Sequence, residues 1–339
     1  MIVRFGFVAM STLLQNASPS RTMTMKSFSK LEDRDAGLRR LEQLAEENLN
    51  TTLRLLKHCF YMDVKVYRIT SKLIPLLTHE AMSDWNPYPT LAPAFESIGS
   101  YAKEHRMRVS FHPDHFTVLS TPREEVFRNS VKDLDHHVRM LEAMGLDDRA
   151  TCNIHVGGSY GDKETSAERF IRQYQTIEDR ITNRITLEND DKTFTVLETL
   201  EISEAVGAPM VLDIHHHAVN PGNESEVALW PRILRTWERA GWNYRNGVEI
   251  GDAEWLPPKL HVSSPRSLTD PRSHADLVDP EPLLRFMYEI AGSTPAIDFM
   301  IEAKYKDGAL TQLMSDLRDI EKSGAPIRVI DGGSVEVLG

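Results

Sequence analysis

The chain has little that would tie it to the outside of a cell. Two cysteines, Cys59 and Cys152, in 339 residues supply no disulfide framework, which points to a reducing compartment. No apolar run approaches the roughly 20 residues that a membrane span needs. The apolar opening MIVRFGFVAM is short, and no convincing small-residue cleavage site follows it. It reads as a first buried strand rather than a leader, and the cytoplasm is the expected location. The sequons at Asn16 and Asn223 then carry no meaning. A basic surplus is missing too: the formal charge is −11, which speaks mildly against a generic nucleic-acid binder. That count leaves out bound ions, whose charges dominate the field wherever they sit. No linker or low-complexity stretch divides the chain, so a single domain is expected. Nothing marks an oligomer interface, so a monomer is the default.

What is present is alternation. Strand-like and helix-like segments succeed one another, the α/β pattern. Strands are expected over 2–8, 64–69, 108–112, 152–156, 184–187, 210–214, 260–263 and 299–301. Helices are expected over 36–60, 94–104, 124–144, 166–179, 193–205, 227–240, 281–291 and 309–322. In the first helix Leu38, Leu41, Leu44, Ala45, Leu49, Leu53 and Leu56 fall at helical spacing. Eight strands and eight helices in alternation make a (β/α)8 barrel over residues 1–325, with long loops after the first strands. The tail, 326–339, is apolar around an Asp331-Gly332-Gly333 turn and suits a short hairpin sealing the barrel.

Six of the strand-like runs end in a group able to ligate a metal: MRVSFH (107–112), TCNIH (151–155), RITLE (184–188), MVLD (210–213), KLH (259–261) and FMIE (299–302). One such ending means little, because a lone histidine at a strand end is usually a hydrogen-bonded structural residue. Six of them deliver polar groups to one face, the C-terminal mouth of a barrel, where function gathers. His112, His155, Glu188, Asp213, His216, His261, His274 and Glu302 form a mixed imidazole and carboxylate set, suited to Zn, Mn or Fe and to harder ions. It exceeds the needs of one ion, and a shared carboxylate can bridge two. Paired ions suit phosphoester hydrolysis. Of His215, His216 and His217, not all can face inward. Lys259 stands two residues before His261, on the same face of the strand. It is either a surface lysine at the strand start or an inward group, as an ammonium or, carboxylated by carbon dioxide, as an anionic ligand.

HPDHF (112–116), NIHVGG (153–158), LEND (187–190), LDIHHH (212–217), KLHVSS (259–264) and IEAKYKD (301–307), with RFGFVAMS near the start and YRITSKLIPLLTHE (67–80), together resemble the UV damage endonucleases, from about residue 2 to about residue 310. Any one motif is weak; eight in order are specific. The resemblance implies a barrel related to endonuclease IV, with three divalent ions, most often Mn, with Zn, Co or Mg as substitutes. It implies double-stranded DNA carrying UV photoproducts as the substrate, some reach toward abasic sites, and hydrolysis immediately 5′ to the lesion. Such an enzyme works at the nucleoid.

By the same resemblance, His112, His155 and Glu188 look like the ligands of one ion. Glu188, Asp213, His261 and Glu302 look like those of a second. His216, His274 and a carboxylated Lys259 look like those of a third, with His79 as a further ligand or phosphate contact. Glu188, Lys259, His261 and Glu302 are the candidate catalytic residues. Two departures stand out. Where better-known members probe the duplex with Gln-Tyr, this chain has His115 and Phe116 after Asp114, and an aromatic face suffices to stack. Phe7 and Ser11 stand where other members carry Tyr and Asn at the DNA. The competing reading is a metal-dependent barrel sugar isomerase or epimerase, which also uses strand-end Glu, His and Asp but wants one or two ions and a compact sugar pocket.

Overall fold

A computed structural model describes residues 1–238 and 256–338. In chain order the elements are β1 (Ile2–Val8), α1 (Met25–Phe28), α2 (Arg34–Tyr61), β2 (Val66–Arg68), α3 (Tyr88–Glu104), β3 (Arg108–Phe111), α4 (Glu124–Ala143), β4 (Thr151–His155), α5 (Lys163–Tyr174), α6 (Asp179–Thr182), β5 (Ile185–Glu188), α7 (Val196–Val206), β6 (Met210–Asp213), α8 (Ile214–Val219), α9 (Glu226–Thr236), β7 (Lys259–Val262), β8 (Pro265–Ser267), β9 (Asp270–His274), α10 (Pro280–Glu289), β10 (Ala296–Ile301), α11 (Lys306–Lys322), β11 (Ile327–Val329) and β12 (Ser334–Val337). β1 to β7 run side by side in chain order, β10 follows β7, and β10 pairs back with β1. Every pairing around this ring is parallel. The result is the (β/α)8 barrel that the alternation implies.

Closure explains the burial pattern. In β3, β5, β6, β7 and β10 every residue is buried, because one face fills the barrel and the other meets the helices. The tail does form the hairpin, and its place follows from the barrel's stagger. β2 pairs with β1 only from Gly6 to Val8, so the same edge of β1 is open from Ile2 to Arg4. β12 takes that stretch in antiparallel register. The hairpin thereby satisfies backbone groups that the stagger leaves exposed.

Most boundaries shift by a few residues from the expectation, and the following departures are larger. The second helix begins at Tyr88 rather than 94, because Pro89 falls in the first turn, where a missing N–H costs nothing, and Pro93 is carried inside. β6 ends at Asp213, whose carboxylate accepts from the His216 N–H at 2.7 Å and starts α8. His215, His216 and His217 are therefore helical and fan out by about 100° each. The stretch after β7 is a two-stranded hairpin, β8 with β9, instead of a loop. The helix expected over 166–179 divides into α5 and α6. The end of the helix expected over 227–240 lies partly outside the described residues.

Gly6 marks the tightest contact between strands. A Cβ there would lie 2.1 Å from the Val66 carbonyl oxygen across the β1–β2 pairing. Gly6→Ala is expected to cost about 1–3 kcal/mol through forced strand separation. Urea unfolding will show this as a lower midpoint with an unchanged slope.

Candidate metal centre at the barrel mouth

The strand register brings the expected ligands together two by two. His155 on β4 stands beside Glu188 on β5, and Asp213 on β6 stands beside His261 on β7. Neighbouring parallel strands are about 4.8 Å apart, so these side chains meet without any loop rearrangement. His112 and Glu302 follow β3 and β10 directly, and His216 comes from the first turn of α8.

Glu188 is the hub. It is completely buried. Its Oε1 lies 3.1 Å from His261 Nδ1 and 3.4 Å from His216 Nδ1, and its Oε2 lies 3.2 Å from His112 Nε2. Asn153, two residues before His155 on the same face of β4, donates its amide to Oε2. Among the described residues three groups result, each with ligand atoms within 4.8 Å of one another: His112, His155 and Glu188; Glu188, Asp213 and His216; Glu188, His261 and Glu302. Glu188 belongs to all three. The resemblance places Asp213 with His261 and Glu302, whereas here its nearest grouping is with His216.

The donor set fits divalent cations. Glu188 Oε1, Asp213 Oδ2 and both ring nitrogens of His261 are buried without a hydrogen-bond partner. Leaving such atoms unsatisfied costs about 1–3 kcal/mol each, and they converge on one volume from three strands. The charges there interact strongly. Burial works against ionising Glu188, yet His261, His155 and His112 outweigh it and hold the carboxyl well below its ordinary range. Burial likewise opposes Glu302, but Arg68 and His261 depress it. His216 loses to burial but gains more from Asp213, Glu188 and Glu302, which push it up to about 9. The mouth is thus an anionic basket that binds protons when it holds no other cation.

Other expected residues are placed as follows. Lys259 is 1 % exposed and points into the barrel, with Nζ donating to Ser110 Oγ at 3.2 Å. Burial, then the positive charges of Arg108 and Arg68, lower its amine to about 7. It lies within electrostatic reach of Glu188, the residue that all three groups share. His274 Nδ1 lies 3.1 Å from the Glu302 carbonyl oxygen, with its ring 6.2 Å from that of His216. His79 is exposed, and its Nδ1 accepts from the Ala81 N–H. His217 turns away to Glu226 at 2.9 Å, and His215 lies against His274. Phe7, expected among the DNA-contacting residues, is instead completely buried against the edge of Tyr67 and offers no face to a ligand. Ser11 gives its hydroxyl to Asp307 and accepts from the Leu13 and Leu14 N–H groups. His115 and Phe116 stand out from the mouth, rings 4.0 Å apart, with Phe116 75 % exposed. A groove of about 230 Å³ runs beneath them, past His112 and His155 to Gly157, Asp190 and Thr193.

Three contributors were missed by reading strand ends for ligands alone. Arg68 ends β2 and pairs with Glu302. Asn153 carries the signal of the two-residue spacing. Asn189 braces the mouth by bonding both the N–H and the carbonyl of Asp213. Gly157 is required as well. Its φ of +112 suits glycine, and a Cβ would lie 2.6 Å from both Ser120 Oγ and Val118 Cγ1.

The sequence of the UV-endonuclease UvdE family matches residues 3–331. This chain belongs to that family. It is 40% identical over 337 residues to the UV DNA damage endonuclease of Halalkalibacterium halodurans, covering 99% of each chain. To the UV DNA damage endonuclease of Bacillus velezensis it is 40% identical over 324 residues, 94% of this chain and 95% of the relative. The crystal structure of SacUVDE superposes with a TM-score of 0.79 at 28% identity, covering 94% of this chain and 99% of that one. Endonuclease IV from Thermus thermophilus shares the fold alone, with a TM-score of 0.51 at 14% identity, over 93% of this chain and 99% of that one.

Binding of divalent metal should release protons. His216 is protonated below about 9 in the metal-free protein, so an ion must displace that proton. The stabilisation from that proton is fully present below the ordinary histidine value and is lost as pH rises through about 9. Calorimetric titration at pH 7.5 in two buffers of different ionisation enthalpy is expected to show about one proton or more released, and fewer at pH 9.5. Equal apparent enthalpies in both buffers at pH 7.5 would contradict this charge balance.

Proposed function

We propose that this chain is a metal-dependent UV DNA damage endonuclease that hydrolyses the phosphodiester immediately 5′ to a photoproduct in duplex DNA, leaving a 3′-hydroxyl and a 5′-phosphate. The observation that carries the proposal is the three-way sharing of Glu188 among groups of metal-ligating type, at the mouth of a barrel in this family. That arrangement favours three ions, and manganese matches the mix of imidazole and carboxylate. Bound ions supply Lewis acidity to the phosphate and a water nucleophile at neutral pH.

The chain's own groups do the rest. His112, His155, Glu188, Asp213, His216, His261 and Glu302 would hold the ions, and Asn153 and Asn189 hold two of those carboxylate-bearing strands in place. Arg68 balances Glu302 and sets which of its oxygens is free. His115 and Phe116 are the exposed pair at the rim. A stacked aromatic can enter a weakened base step and hold the duplex open beside the lesion, and the groove under the pair can receive the displaced nucleotide. Lys259 is buried with an amine lowered to about 7, a nucleophilic state that suits carboxylation. As an anion it would extend the ligand set from below, toward His216 and His274. The same pocket admits abasic sites, which need no base to be displaced. The domain is read as a barrel over 1–325 with the tail hairpin as its seal.

The deciding experiment uses a UV-irradiated, 5′-labelled duplex with Mn, with and without chelator. A single metal-dependent cut directly 5′ to the dimer, absent on unirradiated DNA, is expected. Glu188→Gln is expected to bind irradiated DNA but to cut at least about 100-fold more slowly, since it disturbs every ion at once. Cutting of abasic but not irradiated duplex would move the substrate range away from photoproducts. No cut on either sinks the proposal.

Phe116→Ala is expected to weaken binding to irradiated duplex by about tenfold, the value of one lost stack, with little effect on binding to undamaged DNA. Gel-shift titration measures both. An unchanged ratio would remove Phe116 from lesion recognition.

A further inference from the structure

Within IEAKYKD (301–307), Glu302 belongs to the metal-ligating groups. The turn that follows it leads from β10 into α11 and reads Lys304-Tyr305-Lys306. It sets an aromatic between two cations, in a chain whose formal charge is −11. Lys304 and Tyr305 are exposed, Tyr305 by 55 %, and Lys306 is half-buried. Among the described residues, none gives these three side chains a hydrogen bond, an ion pair or a ring contact. Of the carboxylates close by, Glu302 is taken by Arg68, and Asp307 by Ser11, Thr12 and His58. Asp276 lends the turn a backbone carbonyl.

The side chains are free, but the backbone beneath them is fixed. The Lys304 and Tyr305 N–H groups donate to the carbonyls of Ala275 and Asp276 at 3.0 and 3.1 Å, just after the hairpin that ends in His274. The Thr12 hydroxyl donates to the Tyr305 carbonyl at 2.8 Å. Asp307 is completely buried, accepts from the Thr12 N–H at 2.7 Å and lies 3.0 Å from His58 Nε2. The turn is thus pinned on both sides before any ligand arrives, which lowers the entropy cost of binding.

Three local features work against Lys306. Its φ is +52, a left-handed conformation that glycine adopts freely and lysine does not. It opens α11, where the helix dipole disfavours a cation. Burial and then the positive charge of Arg68 lower its amine from the ordinary value, with Glu302 opposing them. The side chain is therefore within electrostatic reach of a metal-ligating carboxylate and beside a second cation. A glycine here would remove all three costs. An anion lying across the mouth offsets the last two, and the anion that a DNA enzyme brings to its active site is a backbone phosphate.

β10 lies three strands from β3 and four from β4 around the ring of eight. Tyr305 therefore stands across the mouth from the exposed aromatics Phe116 and Tyr160, which follow β3 and β4. We propose that Tyr305 and Lys306 form a second DNA-contacting element of this enzyme. Lys306 donates to a backbone phosphate flanking the cut, and the Tyr305 ring packs on a base displaced beside the lesion. Both roles rest on the endonuclease reading above, and both residues lie outside the metal-ligating groups and the His115–Phe116 pair. An aromatic face accepts any base, and a lysine takes phosphate as a point charge.

Two measurements on the Mn-loaded chain test this: anisotropy titration of a labelled intact duplex at several salt concentrations, and steady-state incision of the irradiated duplex. Lys306→Gly suits the backbone of its position while removing the charge, so it is expected to melt close to wild type. It should bind intact duplex about three- to tenfold more weakly. It should also lower the slope of log affinity against log salt by about one, the value of one phosphate contact. Lys306→Arg should keep the wild-type slope. Tyr305→Ala should leave the binding of intact duplex unchanged and raise KM for irradiated duplex about tenfold, with kcat within about twofold. Tyr305→Phe should keep the wild-type KM. A wild-type slope in Lys306→Gly overturns the phosphate contact, and a wild-type KM in Tyr305→Ala overturns the stacking. If wild type cuts no irradiated duplex, the endonuclease reading fails and the stacking role falls with it. The slope of Lys306→Gly on intact duplex then still decides the phosphate contact. A wild-type chain that binds no duplex overturns both roles.

Discussion

The arrangement at the mouth depends on one buried carboxylate. Glu188 is completely buried, with three histidine nitrogens within 3.4 Å. An isolated carboxylate in that position would be strongly disfavoured. It is tolerated because cations, whether protons on imidazole or metal ions, surround it. The rest of the mouth follows from that requirement. Asn153 fixes one oxygen. His112, His216 and His261 approach from β3, α8 and β7. Asp213 and Glu302, drawn toward the same volume, repel Glu188 and each other unless positive charge lies between them.

The barrel makes this concentration of charge possible. Eight parallel strands in one closed ring leave their C-terminal ends facing a common axis. A ligand on each strand end therefore lies near ligands from strands far away in sequence, without depending on loop conformation. The supporting residues are buried and hydrogen-bonded to backbone, as Asn189 is to both polar groups of Asp213. The rim is different. His115 and Phe116 are exposed, held through Thr117, whose hydroxyl reaches Asp133 at 2.6 Å. Rigid ligands below and an exposed aromatic pair above are what a site needs if it must hold ions in place while fitting a deformable duplex.

Much of this was legible in the sequence, and the reason is periodicity. Eight apolar runs of strand length alternating with helical spacing specify a barrel, and His112, His155, Glu188, Asp213, His261 and Glu302 stand out as polar endings to apolar runs. Less visible was anything decided by three-dimensional stagger or by local capping. The proline-rich start of α3 looked like a loop because proline is a breaker everywhere except in a first turn. His215 to His217 looked like an extension of β6 because the capping role of Asp213 was hidden by its role as a ligand. Phe7 occupies a position that the resemblance places at the DNA, but in β1 it lies inside, on Tyr67. The sequence alone allows Lys259 either at the surface or in the interior; burial and the bond to Ser110 put it inside. The pairing of Arg68 with Glu302 is illegible because the two residues lie at the ends of strands far apart in sequence.

The central claim is that the unpartnered atoms of Glu188, Asp213 and His261 are metal ligands, and metal content tests it most directly. The protein is stripped with chelator, reloaded with Mn, freed of excess ion and analysed for metal per chain by elemental mass spectrometry, beside Glu188→Gln carried through the same steps. The account predicts about three ions per wild-type chain and a loss of more than one on changing this single residue, because Glu188 belongs to all three groups. A wild-type chain that retains no ion, or a Glu188→Gln chain that retains as many as wild type, would contradict it.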